Sequence, residues 1–354
     1  MQATEQAHRI AHDKDWFLQD GDIVLSTSQQ SQFRLFKVHR AILAHHSALF
    51  ADMFTLPCNA NADETYDGIP LVHMQDDPDD LAQFIGALYD SELPLMRPLD
   101  PHNPDRARGA MKLARKYDAD SVCTRIIRRL EADWPQDVFD WLRLCADLKT
   151  RSELRKILVQ RAGPATDTPT NVLIPEPVSA IRFAREFHVP SILPAAFYTL
   201  VLTDIHHDPD SLGVADTFRV ARWSLLGQED MLRLLRGKVS LRNAITHMMN
   251  VPFPGESYCD TCTNSRLPRV FSERWSNHLT AQGFFGGISL AETPDIFGIL
   301  FTFLELLDDN CREFDGMCAR HRSLYSKFFT LKIELEWTRL PDVFQLWEAA
   351  KTTM

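Results

Sequence analysis

The sequence predicts a small α+β module followed by a mostly α-helical region. Three observations carry that expectation. Strand signals are confined to the first quarter of the 354 residues. Glycine is scarce, at 14 residues, so few positions adopt positive φ cheaply and tight turns must be few. Beyond Gln136, apolar residues recur almost throughout at the three-to-four spacing of amphipathic helices. The length suggests two or three domains. With 45% apolar and 24% charged residues the chain has ample material for a core, and a net charge of −10 argues against a general phosphate-binding surface.

Each element has its own signal. Asp22-Ile-Val-Leu-Ser-Thr27 is a β-branched apolar run, Ser28–Ser31 a polar turn, and Gln32-Phe-Arg-Leu-Phe-Lys-Val38 an imperfect alternation, so the pair reads as a β-hairpin. From His39 to Phe54 the period changes to that of a helix, with Ile42, Leu43, Leu49, Phe50, Met53 and Phe54 on one face, ended by Pro57. Ile69-Pro-Leu-Val-His-Met74 is a third short strand, and its proline suits a strand start or an edge. Asp76-Asp77-Pro78-Asp79-Asp80 opens a helix, because acidic residues and proline suit a first turn. Another helix is predicted over Asp105–Leu130, broken by Trp134-Pro135. Helical segments follow at 138–148, 154–159, 178–187, 192–203, 215–225, 231–235, 241–249, 296–310 and 324–337. The stretch before residue 15 is polar and predicts no element and no signal peptide. The best apolar run, Ile296–Leu307, is shorter than the ~20 residues of a membrane span. Seven cysteines spread over this length do not form a disulfide scaffold, so an intracellular setting, cytoplasm and/or nucleus, is expected.

The order strand, strand, helix, strand, helix, helix resembles a BTB/POZ domain. The residues that carry the resemblance are Gly21-Asp22-Ile-Val-Leu25, Phe36-Lys-Val-His39-Arg40-Ala-Ile-Leu43, Ser47-Ala-Leu-Phe50 with Met53-Phe54, Gly68-Ile-Pro-Leu-Val-His-Met74, Leu88-Tyr89 and Ala114-Arg-Lys-Tyr117. The Gly-Ile-Pro and Ala-Arg-Lys-Tyr blocks look like the expanded BTB set of mushroom-forming fungi. The resemblance places a BTB domain at 15–134, a 3-box or BACK-like helical pair at 135–165, and an α-helical region at 166–354.

This resemblance implies a homodimer or BTB hetero-oligomer, with the opening segment and first helix meeting a second chain. The residues so placed are Trp16, Phe17, Leu18, Leu49, Phe50 and Met53, for which packing inside their own chain is the competing reading. Asp22 and Arg40 correspond to the charged pair that BTB dimers hold near their interface groove. Many such proteins recruit cullin-3 through an apolar-X-Glu motif after the first long helix. Here Phe54-Thr-Leu56-Pro57-Cys58-Asn59 has no glutamate at that spacing, so a plain interaction scaffold is the expectation and the ubiquitin-ligase adaptor the alternative. A transcriptional or chromatin regulator is a second alternative, although the sequence carries no DNA-binding helix or zinc-finger array, and no nucleic acid partner is expected.

Cys259-Asp-Thr-Cys262 and Cys318-Ala-Arg-His321 have chelate spacings that would together give zinc a Cys3His set, a clip between distant segments, with Cys311 or His278 as substitute ligands. A redox dithiol and ordinary unligated thiols are the competing readings. Catalysis is not expected. The chain has no Walker loop, no G-x-G-x-x-G, no G-x-S-x-G elbow and no His-Glu-x-x-His. His45-His46 and His206-His207 read as solvated or capping histidines.

Overall fold

The computed structural model describes residues 9–29, 32–56, 64–90, 96–162, 173–207, 219–249, 273, 275–277, 295–307 and 318–347. The chain divides into two compact units, Met1–Asp133 and Trp134–Met354.

The first unit holds a five-stranded mixed sheet in the order β1-β3-β2-β5-β4. Strands β2 (Ile23–Gln29) and β3 (Gln32–Val38) form the expected antiparallel hairpin, in register from Ile23 opposite Val38 to Gln29 opposite Gln32. Leu25, Phe36 and Val38 on one face and Val24 on the other are fully buried. Strand β5 (Ile69–His73) joins β2 in parallel, which requires the intervening helices as a crossover. Two-residue β4 (Thr65–Tyr66) folds back on β5 through Asp67-Gly68, whose φ angles of 49° and 76° are those of a tight hairpin turn.

Strand β1 (Arg9–Phe17) corrects the sequence reading, which placed no element before the hairpin. It runs parallel to β3, with Arg9 opposite Gln32 through His12 opposite Leu35, then a register shift to Phe17 opposite Lys37. Asp13 within it is buried, and its carboxylate accepts from the N–H groups of Asp15 and Trp16 (2.9 and 2.8 Å) and from Arg34 Nε (2.7 Å). Arg34 also meets Asp79 at 2.7 Å.

The single helix predicted from His39 to Phe54 is two, α1 (Arg40–His46) and α2 (Ala48–Thr55), divided at Ser47. The Ser47 hydroxyl accepts from the Phe50 N–H (3.1 Å) and donates to the carbonyl of Tyr117. Helix α3 (Pro78–Tyr89) starts where the acidic run predicts, with Asp77 accepting from the N–H groups of Asp79 and Asp80. The long helix predicted over 105–130 is also two, α4 (Asn103–Lys116) and α5 (Asp120–Asp133), separated where Asp118 takes a φ of 51°. Buried Asp76 gathers this corner by accepting from the Tyr117 hydroxyl and from Lys116 Nζ (2.6 Å). Burial and the Asp76 carboxylate raise the Tyr117 phenol, which stays protonated.

Helices α3 and α4 meet at Gly109. A Cβ there would lie 2.9 Å from the Asp80 Cα and 2.5 Å from its Oδ1. Gly109→Ala is expected to destabilise the first unit by about 1–3 kcal/mol through overpacking. The urea midpoint of the purified variant checks this, and an unchanged midpoint would show that the helices can part without cost.

In the second unit the described residues form helices and short turns. These are α6 (Val138–Ala162), α7 (Pro177–Glu186), α8 (Leu193–Val201), α9 (Gln228–Met249), α10 (Ile296–Leu306), α11 (Ala319–Thr338) and α12 (Leu340–Val343). Helices α6 and α9 each replace two predicted segments, and α12 was not predicted. The helix predicted at 215–225 is reduced, among the described residues, to one 3-10 turn at Trp223–Leu225. Buried Glu176 caps α7 by accepting from Val178 and Ser179 N–H, and it also accepts the Arg222 N–H at 2.9 Å. The core is aromatic. Trp141, Tyr198, Phe297 and Trp337 are mutual neighbours at ring-centroid distances of 4.7 to 6.4 Å, and most of these pairs are edge-on. The Tyr198 hydroxyl donates to Asp295 (2.9 Å), which caps α10 through the Gly298 N–H (3.0 Å).

Candidate functional site

The residues proposed from sequence as a partner surface do not form one exposed flank. Trp16 is half-buried, its ring 5.3 Å from that of Tyr89 and lying against Gly86 of α3. Phe17 stacks on His12 at 3.8 Å and sets its edge to Tyr66. Leu18 is half-buried, and its N–H donates to the Lys37 carbonyl. All three make contacts within their own chain and remain partly exposed.

On α2 the neighbouring pair Leu49 and Phe50 separate sharply. Phe50 is 0% exposed, stacked 4.9 Å from Tyr117, so it belongs to the core and is withdrawn from any partner surface. Leu49 is 42% exposed and Met53 half-buried. Sequence reasoning also missed two exposed apolar residues, Leu56 at the end of α2 and Ile10 on β1. The exposed apolar surface of this unit therefore centres on the outer side of α2 and on β1.

Asp22 and Arg40 meet, but through the backbone. The Asp22 carboxylate accepts from the Arg40 N–H at 2.7 Å and so holds the first turn of α1. The Arg40 guanidinium lies 5.7 Å from the Phe54 ring centroid. Within the single chain, Asp22 thus has a local capping role.

The first unit also has a cavity of about 360 Å³. Its walls include Trp16, Gly86, Ala87, Ala107, Ala110 and Ile126, with Asp15, Asp90 and Arg106 among its polar lining. Small residues on α3 and α4 create the space. Its walls offer apolar contact and few groups able to do chemistry.

Cys318 precedes α11 and His321 lies in its first turn, which brings Sγ within 3.3 Å of Nδ1. Tetrahedral zinc, with Zn–S of about 2.3 Å and Zn–N of about 2.0 Å, sets such a pair of ligands roughly 3.5 Å apart. Cys259, Cys262, Cys311 and His278 lie outside the described residues. Among the described residues no group of three or more His, Cys, Asp or Glu is placed to hold a metal.

Other reactive types are muted. Burial pushes the Cys145 thiol up to about 11, which keeps it protonated near neutrality. Burial, then His45 and Arg125, push the His46 imidazole below its usual range. The His45 and His46 rings stand edge-on, 4.7 Å apart.

Residues 18–132 match the family model of the BTB/POZ domain. No curated protein matches the chain. The match covers the hairpin, the split helices and the crossover strand described above, while β1 lies before it. Among the described residues no helix is long and apolar enough to cross a membrane.

Proposed function

We propose, from the premise that residues 18–132 form a BTB/POZ domain, that this chain is a non-catalytic protein-interaction scaffold. BTB domains are interaction modules that commonly oligomerise and bind other proteins. The family match is the observation that carries the reading. In it the BTB domain supplies homo- or hetero-oligomerisation, and the helical region after it chooses the partner. Exposed Leu49, with Met53 beside it on α2, supports a contact surface there.

Light scattering at micromolar concentration tests this. The expected mass is twice the chain mass of 40.5 kDa, and a single-chain mass overturns the homodimer. Affinity capture with the intact protein separates the scaffold from the ligase adaptor. Cullin-3 among the captured proteins would favour the adaptor. The fungal type of BTB protein, the BACK-like character of residues 135–165 and the intracellular setting belong to the same proposal and rest on the sequence resemblance.

The approach of Cys318 to His321 supports a structural zinc completed by Cys259 and Cys262. Metal analysis of purified protein is expected to give one zinc per chain. Less than one in ten chains would remove the clip.

A further inference from the structure

We propose that α11 carries a self-association surface, on which its outward face pairs antiparallel with the same helix of a second copy of this chain. The inference goes beyond the scaffold reading and does not depend on how the N-terminal domains associate.

The inner face of α11 is a row of Tyr325, Phe329, Ile333 and Trp337, all buried. A helix on a protein surface ordinarily has one such stripe and a polar opposite side. Here the opposite side is apolar too. Leu324, Leu331 and Leu335 are 43%, 65% and 54% exposed, and half-buried Phe328 lies in the same row. At 100° per residue the four positions fall within a sector about 60° wide, facing away from the inner row. Their spacing of four, three and four is that of a coiled-coil seam. One apolar face is satisfied by the core of its own unit, and the other is shaped to meet a helix.

Charge selects which helix and in which direction. Lys327 and Glu334 flank one side of the seam, both exposed, and among the described residues neither has an ion-pair partner. On the other side Lys332 is already paired with Glu336 at 2.8 Å. A parallel pairing of two copies would set Lys327 toward Lys332 of the second copy, like against like. An antiparallel pairing seats Leu331 against Phe328 of the second copy and Leu335 against its Leu324. That register brings Lys327 beside Glu334 of the second copy, twice by symmetry. Within the helix itself, only the antiparallel direction sets opposite charges together, since Arg339, which a parallel pairing would set toward Glu334, lies past its last turn and is paired with Glu336.

The seam from Leu324 to Leu335 is short, about 16 Å at 1.5 Å per residue. The pairing is correspondingly weak between separate chains. Two features offset this. The helix is already ordered by its inner face, so pairing pays no nucleation cost. Any association through another part of the chain raises the local concentration of the second copy.

The test uses the full chain with the photoreactive residue benzoylphenylalanine in place of Leu331, at an exposed position. Irradiation is expected to give a band at twice the chain mass on a denaturing gel, with both cross-linked peptides drawn from residues 319–338. Cross-links to another segment of the same chain, or none between chains, overturn the proposal. In that background Lys327→Glu and Glu334→Lys are each expected to lower the doubled band about tenfold, and the double reversal to restore it. A rise with Lys327→Glu alone would indicate parallel pairing and overturn the register, as would equal yields from all variants. Both reversals lie on the solvent side, and an unchanged circular dichroism melt confirms that they fold. A single-chain mass in dilute solution together with this cross-link would count against the BTB dimer alone. A stable dimer that lacks the cross-link would count against the α11 surface alone.

Discussion

Phe50→Ala is expected to cost the N-terminal unit about 3–5 kcal/mol, whereas Leu49→Ala, one residue earlier, is expected to stay within about 0.5 kcal/mol. Phe50 is wholly enclosed between Phe54, at 6.0 Å, and Tyr117, at 4.9 Å, and its N–H is held by the Ser47 hydroxyl. Truncating it leaves a cavity bounded by two other rings and a helix start that cannot collapse into it. Leu49 points outward. A charged replacement there, Leu49→Asp, is expected to lower the light-scattering mass while leaving the urea midpoint almost unchanged. Similar stability losses at both positions would contradict this division between core and surface.

Trp337→Ala is expected to have an effect of the same size in the second unit, about 3–5 kcal/mol. Its ring lies 5.5 Å from Trp141, 6.2 Å from Tyr198 and 5.2 Å from Phe297, and its Nε1–H donates to the Gln136 carbonyl at 2.6 Å. Trp337→Phe keeps most of the packing but loses the hydrogen bond, for an expected cost of about 1–3 kcal/mol because the carbonyl loses its donor. Near-ultraviolet circular dichroism with thermal melts separates the two. If both variants melt together with the unmodified protein, the aromatic cluster is not what holds these helices.

The parts of the fold that were legible in the sequence were those where one local signal dominates. The hairpin was readable from two β-branched runs around a polar turn, and α3 from an acidic first turn with Pro78. Strand β1 was not, because His12, Asp13, Lys14 and Asp15 mask any alternation. What makes it a strand is nonlocal, namely the pairing with β3 and the burial of Asp13 against Arg34. The breaks at Ser47 and Asp118 carry neither glycine nor proline, so periodicity ran straight through them. The opposite error occurred at α9, where the predicted segments 231–235 and 241–249 leave a gap around Gly237. The helix runs through Gly237, and the missing Cβ there admits the Phe344 ring, whose edge would lie 2.2 Å from a Cβ.

At the candidate surface, the BTB resemblance grouped Leu49 with Phe50 and Asp22 with Arg40. The direction taken by the split helix turns Phe50 into the core and Leu49 toward solvent, and the second pair meets through the Arg40 amide. Periodicity could have found the outer row of α11. It was hidden because the inner row lies opposite it, and two opposed apolar rows give the helix no single apolar side.

Strand β1 has one further consequence. It stands at the margin of the sheet, bonded to β3 on one side only, and so presents a row of amides and carbonyls that another chain could extend. The alternating charges of Lys14 and Asp15, both well exposed, blunt that template. A shortened chain that begins at residue 18, where the family match begins, would discard this guard. It would lay bare the flank of β3, with Phe33 and Leu35, as a fresh sticky border prone to fibrous stacking.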